Sequence, residues 1–513
     1  MNAIKHWSLV VLLLMLAACS NMNNNLEKMI PADATGVVCL DVPQILKQAQ
    51  LLDDGKVKLP ETLQQTVDGN DNAPLSVLLV DLPYLGIDTD SKAYAFFTVK
   101  TFGSVMLVAL DDPSQTRKTI AQRVGSDFTT IEGLDCIYVK DNLYAISDKV
   151  LLVGRVNKVM EAARAAKAAR GILAHNNASI IDNKEVKALL HNDDAAINAW
   201  MQLKGLKTLF NKSSVYRELK QKMPLIEIFT ESDIDAVVCN VMLNDDDVEM
   251  KTTIKAAENS EYAQLLNTTL SKPSSDVLKA IPNSMDYIVT MSVKGDNFVK
   301  LQQIQQLLGL FGKLPYIGRI DLASILATVD GPFTVGIARD PHLEGEWNAV
   351  LATRSTNPDG VLKQISTFAN SMGQAPEMYD GEYVYQYDNK MIRIGIVDEI
   401  LYVKMLDYEQ TEGYAYEMPQ ARTVFDNALL GVFAQTAASD TARAYFDFSL
   451  SSIYDGTGHF TTNQTGVNVT QELLRALCTF KRPSPYDNNE DDESSDDVSS
   501  LVGGAIDKLQ PLN

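Results

Sequence analysis

The sequence predicts an α+β fold in two similar halves from internal duplication, each a mainly antiparallel sheet with helices packed on one face. Three observations predict it. Similar segments recur in the same order along the chain, short apolar runs are separated by turn residues at hairpin spacing, and proline opens a helical pattern after each strand pair. Glycine-rich signatures of a parallel sheet are absent from the sequence.

The first half opens on "IPADATGVVCLDV" (30–42) and the second on "IPNSMDYIVTMSV" (281–293), each an Ile-Pro pair running into an apolar stretch. A helical pattern follows in both. "PQILKQAQLL" has Pro43 in a first turn, where the missing N–H costs nothing. "DNFVKLQQIQQLLGLF" spaces Phe298, Leu301, Ile304, Leu308 and Phe311 along one face. Next, "LPYLGID" (82–88) matches "LPYIGRID" (314–321). The segments 93–113 and 332–358 both read strand, turn, strand, then a proline that opens a helix. "CIYVKDN" and "VYQYDNK" share Asp-Asn, at Asp141-Asn142 and Asp388-Asn389, and lead into the strands "KVLLVG" and "EILYVKM". Residues 235–254 with the helix "EYAQLLNTTL" resemble 442–466 with "TQELLRALCTF".

The halves are therefore placed at 32–279 and 280–481, within ordinary domain size. From the Ala-rich "NKVMEAARAAKAARG" to about "ELKQKM", the first half carries an extra helical stretch that the second shortens. Residues 482–513 begin with Ser, Pro, Asn and acid, the composition of a disordered linker and tail.

Ahead of the first half, residues 8–18 form an apolar run behind Lys5 that is too short to span a bilayer and reads as a secretory leader. It ends in Leu16-Ala17-Ala18-Cys19, which resembles the bacterial lipobox. Cleavage after residue 18 makes Cys19 the lipidated first residue of the mature chain. Several acyl chains on one cysteine, at about 0.8 kcal/mol per buried methylene, make a lasting membrane anchor. Residues 19–31 then serve as a polar tether. Ser20 after the cysteine, with no acid before Glu27, resembles lipoproteins kept on the periplasmic face of the outer membrane. Surface display is the alternative.

Charge narrows the partners. The formal net charge is −21, and the acidic run 487–497 does not account for all of it. Such a field repels a phosphate backbone, so no nucleic acid is expected as a partner. The other four cysteines, Cys39, Cys136, Cys239 and Cys478, sit in apolar settings without a C-x-x-C pair, as buried thiols do. Cys39 and Cys239 stand on two similar strands and are the pair to test for a disulfide.

No catalytic, cofactor-binding or metal-binding residues are assigned. His175, His191, His342 and His459 stand apart from one another and outside any H-E-x-x-H. His342, Glu344 and Glu346 in "DPHLEGEW" would share a face if extended, but Pro341 and Gly345 favour a hairpin turn. "NDDDVE" (244–249) lacks EF-hand spacing and also reads as a turn, as does "GTGH" (456–459). Nucleophile-elbow and phosphate-loop motifs are missing. Two surface features remain. Tyr383, Tyr385 and Tyr387 alternate along a strand, as a stacking platform or as ordinary cross-strand packing. Arg164, Lys167 and Arg170 form a basic strip on the Ala-rich helix, facing lipid phosphates or only solvent.

The lipobox, the length, the "MIPADATGVV" opening and the second Ile-Pro segment together resemble a family of Bacteroidota lipoproteins, that of domain of unknown function 4836. That resemblance supplies no activity and no functional residue beyond Cys19. The expectation is a lipid-anchored envelope protein that binds or scaffolds without catalysis, holding an envelope protein or a small ligand between its halves. The alternative is an envelope enzyme acting on peptidoglycan or glycan.

Overall fold

The structure is a computed structural model that describes residues 25–53, 56–68, 79–98, 100–158, 160–174, 178–203, 233–311, 321–339, 347–371, 377–379, 381–387, 390–406, 413–437, 443–464 and 466–479. Cys19, the leader, the tail 482–513, His175, His342, Glu344, Glu346 and most of "LPYIGRID" lie outside the described residues. Helices accompany an extensive antiparallel strand system, so the fold is α+β. No described helix is long and apolar enough to cross a membrane.

Two compact units divide the chain. Of the described residues, those up to 203, 235–255 and 460–479 form the first, and 233–234 with 256–459 form the second. Against halves of 32–279 and 280–481, two helices change sides: Glu261–Thr269 groups with the second unit and Val469–Thr479 with the first.

In the first unit the strands are β1 Gly36–Leu40, β4 Ala93–Phe97, β5 Phe102–Ala109, β6 Thr129–Ile131, β7 Leu134–Val139, β8 Asn142–Ser147, β9 Val150–Val156, β10 Ile197–Gln202, β11 Ala236–Leu243 and β12 Val248–Lys255, besides a small hairpin of β2 Leu52–Asp53 and β3 Lys56–Val57. Every pairing is antiparallel, in the order β6-β7-β8-β9-β5-β4-β1-β10-β11-β12. The apolar run "GVVCL" therefore becomes a central strand, β1, buried on both faces. Asp41 then ends the strand and caps the helix Val42–Gln48, accepting from the Gln44 N–H while Pro43 occupies the first turn. Val37, Cys39, Phe96, Val105, Leu107 and Leu152 fill the core. Over β7, β8 and β9 lies the helix Ala162–Leu173, whose buried Ala165, Ala166 and Ala169 have no bulk to hold it away.

The second unit contains β13 Tyr287–Lys294, β14 Val329–Arg339, β15 Trp347–Ser355, β16 Glu377–Tyr379, β17 Glu382–Tyr387, β18 Lys390–Val397, β19 Ile400–Leu406, β20 Leu430–Ala437, β21 Arg443–Leu450 and β22 Asp455–Thr462, the last three residues of which group with the first unit. Its order is β16-β17-β18-β19-β15-β14-β13-β20-β21-β22. Asp398 and Glu399 join β18 to β19 with φ of 47° and 67°, as a primed hairpin turn requires. The core holds Ile281, Met285, Ile288, Phe425 and Phe433.

Three expectations change. "GTGH" is not a turn but part of β22, after a turn at 451–454. Its glycine is needed for space, because a Cβ on Gly456 would sit 2.8 Å from the Leu450 side chain and 3.0 Å from Phe448. The pattern 298–311 forms two helices, Gly295–Phe298 and Gln302–Phe311, because Lys300 and Leu301 donate to carbonyls three residues back and tighten the chain there. Finally, Cys39 and Cys239 are free thiols. Cys39 lies opposite Asn198 and Cys239 opposite Ala199, so β10 runs between them. Two strand spacings amount to about 10 Å, beyond the roughly 7 Å that a disulfide spans.

Candidate functional site

A groove of about 670 Å3 opens on the first unit, lined by Asp81, Tyr84, Gln115, Lys118, Thr119, Gln122 and Arg123. Two elements build it. One is the helix Pro113–Val124, and the other is the single turn Leu82–Tyr84 of "LPYLGID". Helical spacing puts Gln115, Lys118, Thr119, Gln122 and Arg123 along one stripe of the helix. Asp112 starts that helix by accepting from the N–H groups of Ser114 and Gln115, and Gly125, in the left-handed region at φ 69°, ends it.

The turn is riveted to the helix by side-chain hydrogen bonds. Thr116 donates to the Leu85 carbonyl and Thr119 to that of Tyr84, both at 2.6 Å. Arg123 grips Asp81 with two parallel bonds of 2.7 Å from Nε and Nη2. That pairing raises the Arg123 pKa above its already high ordinary value, so the guanidinium stays charged. Below the turn, Gly86 takes φ 58° and accepts from the N–H groups of Asp111 and Asp112. A Cβ there would fall 2.5 Å from the Asp112 carbonyl oxygen, so only glycine fits.

The turn, Thr119 and the Asp81–Arg123 pair are held in place before any ligand arrives. Tyr84 projects from the lining, 61% exposed. The side chains of Tyr84, Gln115, Lys118 and Gln122 make no hydrogen bond or ion pair among the described residues, which leaves their polar groups to water or a ligand.

A second polar cluster lies on β17, β18 and β19. Tyr402 donates to Glu382 Oε1 at 2.5 Å, and Arg393 Nη1 to Glu382 Oε2 at 3.2 Å. Lys404, 7% exposed, stands 4.0 Å from Glu382, with its ammonium 4.2 Å from the Tyr402 ring centroid and 5.2 Å from that of Tyr414. Burial lowers the Lys404 pKa, Glu382 opposes that and Arg393 adds to it. Burial and the bond to Glu382 push the Tyr402 phenol up. Chemically this is a closed network in which one carboxylate serves a hydroxyl and two cations.

Elsewhere the singled-out residues stay apart. Tyr385 is buried and Tyr383 half-buried, which is cross-strand packing, and the Tyr387 side chain is outside the described residues. Arg164, Lys167 and Arg170 are exposed, with Arg170 tied to the Glu132 carbonyl at 2.6 Å. His191 pairs with Glu27 at 2.7 Å and His459 with Asp447 at 3.1 Å. "NDDDVE" contains the hairpin turn between β11 and β12. Among the described residues no group of His, Cys, Asp and Glu is placed to hold a metal. Burial pushes the Cys39 thiol up to about 12, and it faces the Leu190 carbonyl at 3.7 Å, so it is an inert core thiol.

No family model matches the chain, and no curated protein matches it. Among solved structures it is similar to TP0453 in crystal form III, with a TM-score of 0.28 and 10% identity over 47% of this chain and 84% of that one. Crystal form IV of TP0453 gives a TM-score of 0.26 at 10% identity, covering 44% and 79%. The DNA polymerase III beta chain of Streptococcus pneumoniae covers 84% of this chain and all of its own, with a TM-score of 0.12 and 8% identity. Likenesses this loose leave the function to the chain's own residues.

Sequence reasoning missed the groove, although it had singled out the repeated Leu-Pro-Tyr segment that supplies Tyr84 and Gly86. The stripe on Pro113–Val124 looked like any solvated helix face.

Proposed function

We propose that this chain is a lipid-anchored protein of the bacterial envelope that holds a ligand in the groove beside Tyr84 without transforming it. Cys19 carries the lipid, and the periplasmic face of the outer membrane is its place, in keeping with the resemblance to the Bacteroidota lipoproteins. The observation that carries the binding reading is the groove itself: its turn is fixed to its helix by four side-chain bonds, while the side chains of Tyr84, Gln115, Lys118 and Gln122 have no bonded partner among the described residues. An envelope enzyme acting on glycan is the weaker reading. Glycoside hydrolysis generally takes two carboxylates across the bond, and among the described lining residues Asp81 is the one carboxylate, already gripped by Arg123.

The two units also stem, in this proposal, from duplication of one ancestral unit. Support comes from the strand orders, in which β6, β7, β8, β9, β5, β4, β1, β10, β11 and β12 match β16, β17, β18, β19, β15, β14, β13, β20, β21 and β22 one for one.

Membrane fractionation tests the anchor. Cys19→Ala should move the protein from the membrane to the soluble fraction, and a folded variant that stays on membranes refutes lipid anchoring.

A further inference from the structure

We propose that the groove beside Tyr84 is a saccharide site, and that its ligand is a short oligosaccharide; this rests on the binding reading above. A sugar ring offers a patch of C–H groups on one face and a rim of hydroxyls that both donate and accept. The lining offers the complement of each. Tyr84 is the only large aromatic among the described lining residues and presents an exposed ring that a sugar face can cover. Gln115 and Gln122 bring amides, which, like hydroxyls, donate and accept at once. Lys118 adds donors, and the Asp81–Arg123 fork adds a planar pair of acceptor and donor with lone pairs left over.

Other ligand classes fit less well. A polyanion would meet one cation without an ion pair among the described lining residues, Lys118, on a chain of net charge −21. An apolar ligand would bury the amides of Gln115 and Gln122 without partners, which is costly. A volume of about 670 Å3 lies within the range of ordinary ligand sites. Because the turn is already fixed by Thr116, Thr119 and Arg123, the ordering cost of binding falls on the side chains of Gln115, Lys118 and Gln122 and not on the backbone.

The test is calorimetric titration of the full-length lipoprotein in detergent with maltohexaose, cellohexaose and hexa-N-acetylchitohexaose, in wild type, Tyr84→Ala, Tyr84→Trp and Gln115→Ala/Gln122→Ala. Tyr84 is exposed, so its replacement leaves the core intact. Saturable binding of at least one sugar is expected, weakened about tenfold in Tyr84→Ala, kept in Tyr84→Trp, and weakened again without the amides. Binding of none of the three, or binding indifferent to Tyr84→Ala, overturns the proposal. The recovered sugar separates the two readings. Shortened products would end the non-catalytic reading and leave the saccharide site standing. A photo-cross-linker at position 84 that captures only a non-saccharide molecule in intact cells would keep the binding reading and end this one.

Discussion

One face of β7, β8 and β9 carries Cys136, Leu143, Ala145, Leu152 and Gly154, whereas the matching face of β17, β18 and β19 carries Glu382, Arg393, Gly395, Tyr402 and Lys404. The first is closed by an alanine-lined helix. On the second, Ile400 and Tyr402 pack into an apolar core with Val277 and Leu278, and polar side chains that satisfy one another lie beside them. The links differ in length: β9 ends at Val156 and the next 3-10 turn starts at Ile180, but β19 ends at Leu406 and the next such turn starts at Ala415. No helix like Ala162–Leu173 fits into the shorter link. Strands in the same order can thus bury a face by apolar contact alone or by apolar contact with an ion network set into it, and the two differ in what breaks them.

Removing the shared carboxylate should break the second arrangement most. Glu382→Ala leaves Arg393 and Lys404 without their counter-charge, and should cost about 3–5 kcal/mol in urea unfolding. A loss near zero would mean that the network is solvated and closes nothing. The first arrangement should break on bulk instead. Ala166→Leu pushes the helix off the sheet and should cost about 1–3 kcal/mol, with lowered amide protection in β7 to β9 as its local sign.

Alkaline pH gives the smallest effect per step and picks out the first unit. Cys39 has its thiol pKa raised by burial from 9.0 to about 12. For a folded pKa above the unfolded one, the stability is fully present below pH 9 and is lost as pH rises toward 12, because the unfolded thiol ionises first. The expected slope is about 1.4 kcal/mol per pH unit in that window. Urea titrations at pH 8 and pH 10 should show a steeper fall for wild type than for Cys39→Ala.

Much of the fold was legible, and the residues say why. Strands such as β1 and β9 read from their apolar runs, and Pro43, Pro113 and Pro358 marked helix starts. β10 and β20 went unread, although they flank β1 and β13. "INAWMQ" has Asn198 and Ala199 at its centre, and its strand character comes from neighbours: Asn198 is buried, donates to the Asn192 and Ala195 carbonyls, and accepts from Asn240 at 2.5 Å. Tertiary pairing, not local propensity, made that strand. The Glu382 network was equally hidden, because its members sit on three strands and each alone looks like a polar residue of a hairpin.

The helix Val469–Thr479 carries one more consequence, this time for the order of folding. Asn468 donates to the Gln48 carbonyl at 2.6 Å and Gln471 to that of Ala49 at 2.9 Å, across 420 and 422 residues of chain. Contacts that distant form slowly, since the loop between them must close first. The unit that holds the N-terminal strands therefore cannot be completed until residues 468–479 have been made. Until that distant segment arrives, the carbonyls of Gln48 and Ala49, at the C-terminal end of the helix Val42–Gln48, lack these two partners.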